Sequence, residues 1–130
     1  MDDLVIIVGV LALIQYIAFA MLVGRARGKY DVKAPATSGD PVFERYFRVQ
    51  QNTLEQLVVF LPAIFLYSHL GNPMYAAGFG VVYLIGRMIY LRSYVKDPGS
   101  RTLGFMLTFL PSVLMLIGAL FMAAQNLLAA

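Results

Sequence analysis

Arg48, Asn52 and Glu55 stand at i, i+4 and i+7, a spacing that stacks a cation, an amide and an anion on one helical face. Gln50 and Gln56 lie on the flanks of that line. Tyr83, Arg87, Tyr90 and Tyr94 repeat the device at spacings of 4, 3 and 4, and Arg101 follows the break "KDPGS". Guanidinium groups pair with carboxylates, a carboxylate pairs with an ammonium, and amides and phenols serve peptide groups. The matching ligand is a small zwitterion with more negative than positive groups. Plainer readings exist beside this one. Arg45 and Gln51 read as interfacial residues, Tyr94 as part of an aromatic belt, and Arg92 and Lys96 as solvated charges or lipid-headgroup contacts.

The elements that carry these residues are those of a membrane protein. The chain has 130 residues, 60% of them hydrophobic and 13% charged. A soluble domain of this length has too little interior to hide so much apolar surface. Leu4 to Val23 carries no charge and has the length needed to cross a hydrocarbon core of about 30 Å. It lacks the basic residues that precede a signal-peptide core and reads as a retained span. Residues 24–41, "GRARGKYDVKAPATSGDP", read as a connection with turn chemistry throughout.

From about Val42 a helical pattern runs to Leu70, about 29 residues and thus about 44 Å. That exceeds the bilayer core, so its first third is expected to protrude or to line a polar cavity. In "GNP" (71–73), Gly71 ends this helix while Asn72 caps the next, with Pro73 at its first position. A third span runs from about Met74 to Tyr94. Either Asp97 or Ser100 is placed to cap the fourth, which contains no charge from Leu103 to Ala130. The expected fold is an all-α integral membrane four-helix bundle in one domain, 1–130, with spans at about 4–23, 53–70, 74–94 and 103–124.

All ten Lys and Arg residues lie in or beside the first and third connections. The positive-inside rule therefore places both basic loops in the cytoplasm and both termini on the opposite side. The formal charge of +3 suits an anionic membrane surface or small anions, and nothing supports nucleic acid as a partner. With no cysteine and a single histidine, His69, there is no thiolate or histidine cluster for a metal and no Ser-His-Asp triad. If this chain does thiol chemistry, the sulfur arrives with a ligand. Glutathione has the required character: two carboxylates, one ammonium, peptide groups and a thiol.

The stretch "FERYFRVQQNTLEQ" resembles the signature of the MAPEG family, the membrane-associated proteins of eicosanoid and glutathione metabolism. Glu44, Arg45, Arg48, Gln50, Asn52 and Glu55 match its pattern E-R-x-x-R-x-Q-x-N-x-x-E. "GVVYLIGRMIYLRSYVKDPGSR" resembles the family's third helix and following loop, with Arg87, Tyr90, Tyr94 and Arg101 at matching positions. The resemblance implies a homotrimer with glutathione as co-substrate between subunits near the cytoplasmic side, and no metal. It implies that Arg48, Asn52, Glu55, Tyr90 and Tyr94, with Arg87 beside them, bind glutathione. Arg27 and Gln50 would approach from the neighbouring subunit, and Arg101 would face the sulfur as the catalytic residue. Gln56 and Gly28 stand where the eicosanoid-forming branch has tyrosine and arginine, so the closer likeness is to the microsomal and bacterial glutathione transferases. The implied activity is a membrane glutathione transferase acting on a lipophilic electrophile, with reduction of a lipid hydroperoxide as a second activity. A non-catalytic lipid-binding accessory protein of the same family is the alternative. A channel or transporter subunit is a further rival, weakened by the lack of a broken-helix pair.

Overall fold

The computed structural model describes residues 2–130. Four long helices follow one another: α1 (Asp3–Tyr30), α2 (Pro41–Leu70), α3 (Pro73–Lys96) and α4 (Thr102–Ala129), with a 3₁₀ turn at Pro98–Ser100 before the last. All four are long and apolar enough to cross a membrane. Large apolar side chains such as Ile17, Met21, Val58, Ile85, Ile117 and Leu120 point outward, as suits a lipid solvent. The protein is an integral multi-pass helical bundle.

Helix ends follow local chemistry. The Asp2 carboxylate accepts from the Leu4 amide at 2.9 Å, the Asp40 carboxylate from Val42 at 2.9 Å, and Asn72 Oδ1 from Met74 at 2.8 Å. Pro41 and Pro73 occupy the first turns of their helices, where the missing N–H costs nothing. Gly71 ends α2 by donating its amide to the Tyr67 carbonyl at 2.8 Å.

Two boundaries differ from the sequence reading. α1 continues through "GRARGKY" to Tyr30, where Asp31 closes it in the left-handed conformation at φ 55°. Gly24 and Gly28 weaken that last stretch. Burial of Val23 and Ala26 against Phe43, with the Arg27 guanidinium 4.9 Å from the Phe43 ring centroid, outweighs the penalty. Neither expected cap serves α4. Asp97 accepts from Gly99 in the 3₁₀ turn at 3.1 Å, and the Ser100 hydroxyl donates to the carbonyls of Ser93 and Asp97 at 3.0 and 2.8 Å. Arg101 itself occupies the N-cap position of α4, which has no side-chain cap. Arg101 therefore stands one step outside the first turn of α4.

The packing that positions the site lies between α2, α3 and α4. Gly86 and Gly104 let α3 and α4 approach backbone to backbone. A Cβ at Gly104 would sit 2.6 Å from the Tyr90 Cα, and one at Gly86 would sit 2.7 Å from the Leu107 Cβ. Adjoining this packing, Phe60 stacks on Tyr83 with ring centroids 3.8 Å apart, in a core with Val5, Val8, Ile64 and Met115.

Candidate functional site

One face of α2 presents Arg48, Gln51, Asn52 and Glu55 at i, i+3, i+4 and i+7. Tyr90 and Tyr94 from α3, with Arg101 and Phe105 at the start of α4, complete a cleft of about 350 Å³. Arg48, Glu55 and Arg101 are exposed within a single chain, Asn52 and Tyr94 are half-buried, and Tyr90 is buried. The two tyrosine rings stack with centroids 5.5 Å apart and form an aromatic wall. Arg101 Nη1 donates to the Pro98 carbonyl at 3.2 Å, which ties the guanidinium to the turn that precedes α4. The cleft thus brings two guanidinium groups and one carboxylate to one end of the bundle. An uncapped helix start adds a partial positive charge on the same side.

Arg87 stands apart from the rest of the expected set. It is fully buried in the single chain and lies beneath the cleft, behind Asn52 and Tyr90. Its Nε donates to Thr108 Oγ1 at 2.8 Å, and its Nη1 donates to Asn52 Oδ1 at 2.8 Å and to Thr53 Oγ1 at 3.1 Å. Its guanidinium lies 4.3 Å from the Tyr90 ring centroid. Both threonine hydroxyls also donate one turn back, Thr53 to the Val49 carbonyl at 2.7 Å and Thr108 to the Gly104 carbonyl at 2.9 Å. Their lone pairs are therefore oriented toward the cation. One buried arginine fixes the Asn52 amide and the Tyr90 ring while joining α2, α3 and α4. Charge-assisted hydrogen bonds of this kind contribute about 1.5–3 kcal/mol each.

Arg27 and Gln50 lie outside this cleft in the single chain. Arg27 donates through Nη1 to the carbonyls of Ala36 at 2.6 Å and Val32 at 3.4 Å, and so orders the loop after α1. Gln50 is half-buried on a different face of α2. Arg45, read from sequence as interfacial, donates to the Val95 and Lys96 carbonyls at 3.0 and 3.4 Å and closes the C-terminal end of α3. Tyr83 belongs to the core, not to the cleft. Sequence reasoning missed Gln51, whose i+3 spacing from Arg48 was the available signal. It also missed Phe105, four residues after Arg101 on α4, and the two threonines that receive Arg87.

Four apolar spans thus carry a polar, net cationic cleft at one end of a membrane bundle. Comparison with known proteins narrows the class. The family model described as "MAPEG family" matches residues 5–121. An uncharacterised protein of Synechocystis sp. is 46% identical over 110 residues, covering 85% of this chain and 80% of that one. Microsomal glutathione S-transferase 2 of Homo sapiens is 39% identical over 114 residues, covering 87% of this chain and 78% of that one. Leukotriene C4 synthase of Rattus norvegicus is 35% identical over 83 residues, covering 64% and 55% respectively. The chain belongs to the MAPEG family.

Proposed function

We propose that this protein is a membrane glutathione transferase that binds glutathione in the cleft between α2, α3 and α4. The observation that carries the reading is charge matching. Glutathione brings two carboxylates, one ammonium and an ionisable thiol. The cleft brings Arg48 for a carboxylate, Glu55 for the ammonium and Arg101 for the thiolate, and Arg27 of a neighbouring subunit takes the second carboxylate. Glu55 receives the ammonium, while Asn52 and Gln51 face the peptide groups. Tyr90 and Tyr94 line the side toward α3. The similarity to microsomal glutathione S-transferase 2 of Homo sapiens, at 39% identity, supports the same ligand.

Arg101 acts on the sulfur. A thiol of pKa about 8.5 is only about 3% ionised at pH 7. Stabilising the thiolate by about 2.7 kcal/mol lowers that pKa by two units. One charge-assisted hydrogen bond of about 1.5–3 kcal/mol accounts for most or all of this. The thiol proton leaves to water, and the thiolate then forms a C–S bond with a lipophilic electrophile that enters from the bilayer. It either expels a leaving group as its anion or adds to an activated double bond whose displaced electron pair takes a proton from water. With a lipid hydroperoxide the thiolate attacks the O–O bond, and a second glutathione completes the disulfide, giving an alcohol and water. The accessory-protein alternative has no use for Arg101 beside an intact polar stripe.

The protein works as a homotrimer in this reading, with Arg27 and Gln50 reaching the cleft of a neighbouring subunit. At about 350 Å³ the single-chain cleft is near the small end of ligand sites, as suits a site that a neighbour completes. Both basic loops face the cytoplasm, which gives the cleft access to cytosolic glutathione. Calorimetry of glutathione binding to the purified protein tests the proposal. Saturable binding supports it, and a well-folded protein that binds none overturns it.

A further inference from the structure

A second cavity exceeds the polar cleft in volume. It is an apolar groove of about 890 Å³ between α1 and α3. On α1 its wall runs from Leu11 to Leu22, and on α3 from Leu84 to Arg92. The two helices run in the same direction, so Leu11 and Leu84 mark one end of the groove and Leu22 and Arg92 the other. Gln15 pins the helices together there by donating Nε2 to the Leu84 carbonyl at 2.9 Å.

Length and charge together identify an occupant. The eleven steps from Leu11 to Leu22 rise about 16 Å along α1, and half of a 30 Å hydrocarbon core is about 15 Å. The groove therefore has the depth of a single leaflet. Its only charged lining residue, among those described, is Arg92, at the end near the basic loops. Leu22 at that end also borders a second, polar cavity of about 90 Å³, lined by Arg25, Lys29, Tyr30 and Tyr46. Among the described residues that line the two cavities there is no carboxylate. An acyl chain lying in the groove would carry its headgroup to three cations and two phenols.

We propose that the α1–α3 groove and the basic cavity beside it form a binding site for one anionic phospholipid of the leaflet on the basic-loop side. The groove takes an acyl chain, Arg92 takes the phosphodiester, and Arg25 and Lys29 take the remaining negative charge. Arg48 and Arg101 are not involved, so the site is independent of what fills the polar cleft. Basic pockets between spans on the cytoplasmic side are suited to such headgroups.

The test uses the full-length protein, purified and reconstituted with phosphatidylglycerol and phosphatidylcholine of identical chains. Lipid retained per chain after stepwise delipidation is then read by native mass spectrometry. The expected result is one phosphatidylglycerol per chain, retained in at least tenfold preference over phosphatidylcholine. Arg92→Gln lowers that preference about fivefold. Ala18→Trp, which fills the groove from α1, reduces retention of both lipids, and Ile85→Trp, from α3, does the same if the first variant fails to fold. Soluble glycerol phosphate does not displace the lipid. Equal retention of the two lipids overturns the proposal, as does a preference that survives both tryptophan variants. Displacement by glycerol phosphate would mark a free-phosphate site. Efficient cysteine cross-linking between copies through position 14 or 85 would mark a groove covered by a second chain, and either result also overturns it.

Discussion

Gly104→Ala probes the support of the site without touching the cleft. The new Cβ would lie against the backbone nitrogen of Tyr90 and 2.6 Å from its Cα, whereas ordinary contact begins at 3.4 Å. The nitrogen is the nearer atom, so α4 must retreat from α3 by about 1 Å at this level. Thr108 is one turn further along α4, and its Oγ1 sits 2.8 Å from Arg87 Nε. The same retreat stretches that bond to about 3.8 Å, beyond hydrogen-bond range. Overpacking costs about 1–3 kcal/mol, and the lost charge-assisted bond costs about 1.5–3 kcal/mol. The expected destabilisation is about 2.5–6 kcal/mol. Arg101 lies three residues before Gly104 and moves with α4. A misplacement of about 1 Å at a reacting centre lowers turnover by about 100-fold. The assay is thermal unfolding in detergent beside turnover on a model electrophile. A Gly104→Ala variant with unchanged unfolding midpoint and unchanged turnover would refute the claim that α3–α4 contact positions Arg87 and Arg101.

Arg87→Lys keeps the charge but has one nitrogen where three bonds converge; releasing Asn52 should weaken glutathione binding by about tenfold. Equal affinity by calorimetry would show that Asn52 needs no tether. Glu55→Gln removes the countercharge for the ligand ammonium while keeping the side chain's shape. It should weaken glutathione binding markedly, and unchanged affinity in a folded variant would make Glu55 structural. Cysteine labelling should reach positions 35 and 97 from the cytoplasmic side and positions 72 and 130 from the other. Labelling of position 72 only from the cytoplasm would invert the topology.

Much of this architecture was legible because its signals are local. Uncharged stretches of membrane length, the "GNP" stop-and-start and the alignment of Arg48, Asn52 and Glu55 each depend on one helix at a time. The continuation of α1 to Tyr30 was hidden because it depends on Phe43, far along the chain, covering Val23 and Ala26. The place of Arg87 was hidden for a similar reason. Spacing puts it on the tyrosine face, but its burial is decided by Thr53 and Thr108 on two other helices and by the glycines that admit α4. The α4 cap was misjudged because two candidate residues both found partners inside the preceding turn.

The central claim is that Arg101 ionises the glutathione thiol. Its most direct test is the thiolate absorbance of the bound complex, titrated against pH in the native protein and in Arg101→Ala. The native complex should show a thiol pKa well below the free value of about 8.5. Arg101→Ala should still bind glutathione through Glu55 and Arg48, with its thiol pKa raised by one to two units, about 1.4–2.7 kcal/mol. Turnover at neutral pH should fall at least as far and recover in part as the pH rises. Loss of glutathione binding with an unchanged thiol pKa in any residual complex would contradict the account. Arg101 would then be a carboxylate clamp, and the group that activates the thiol would lie elsewhere, with Tyr94 the first to test.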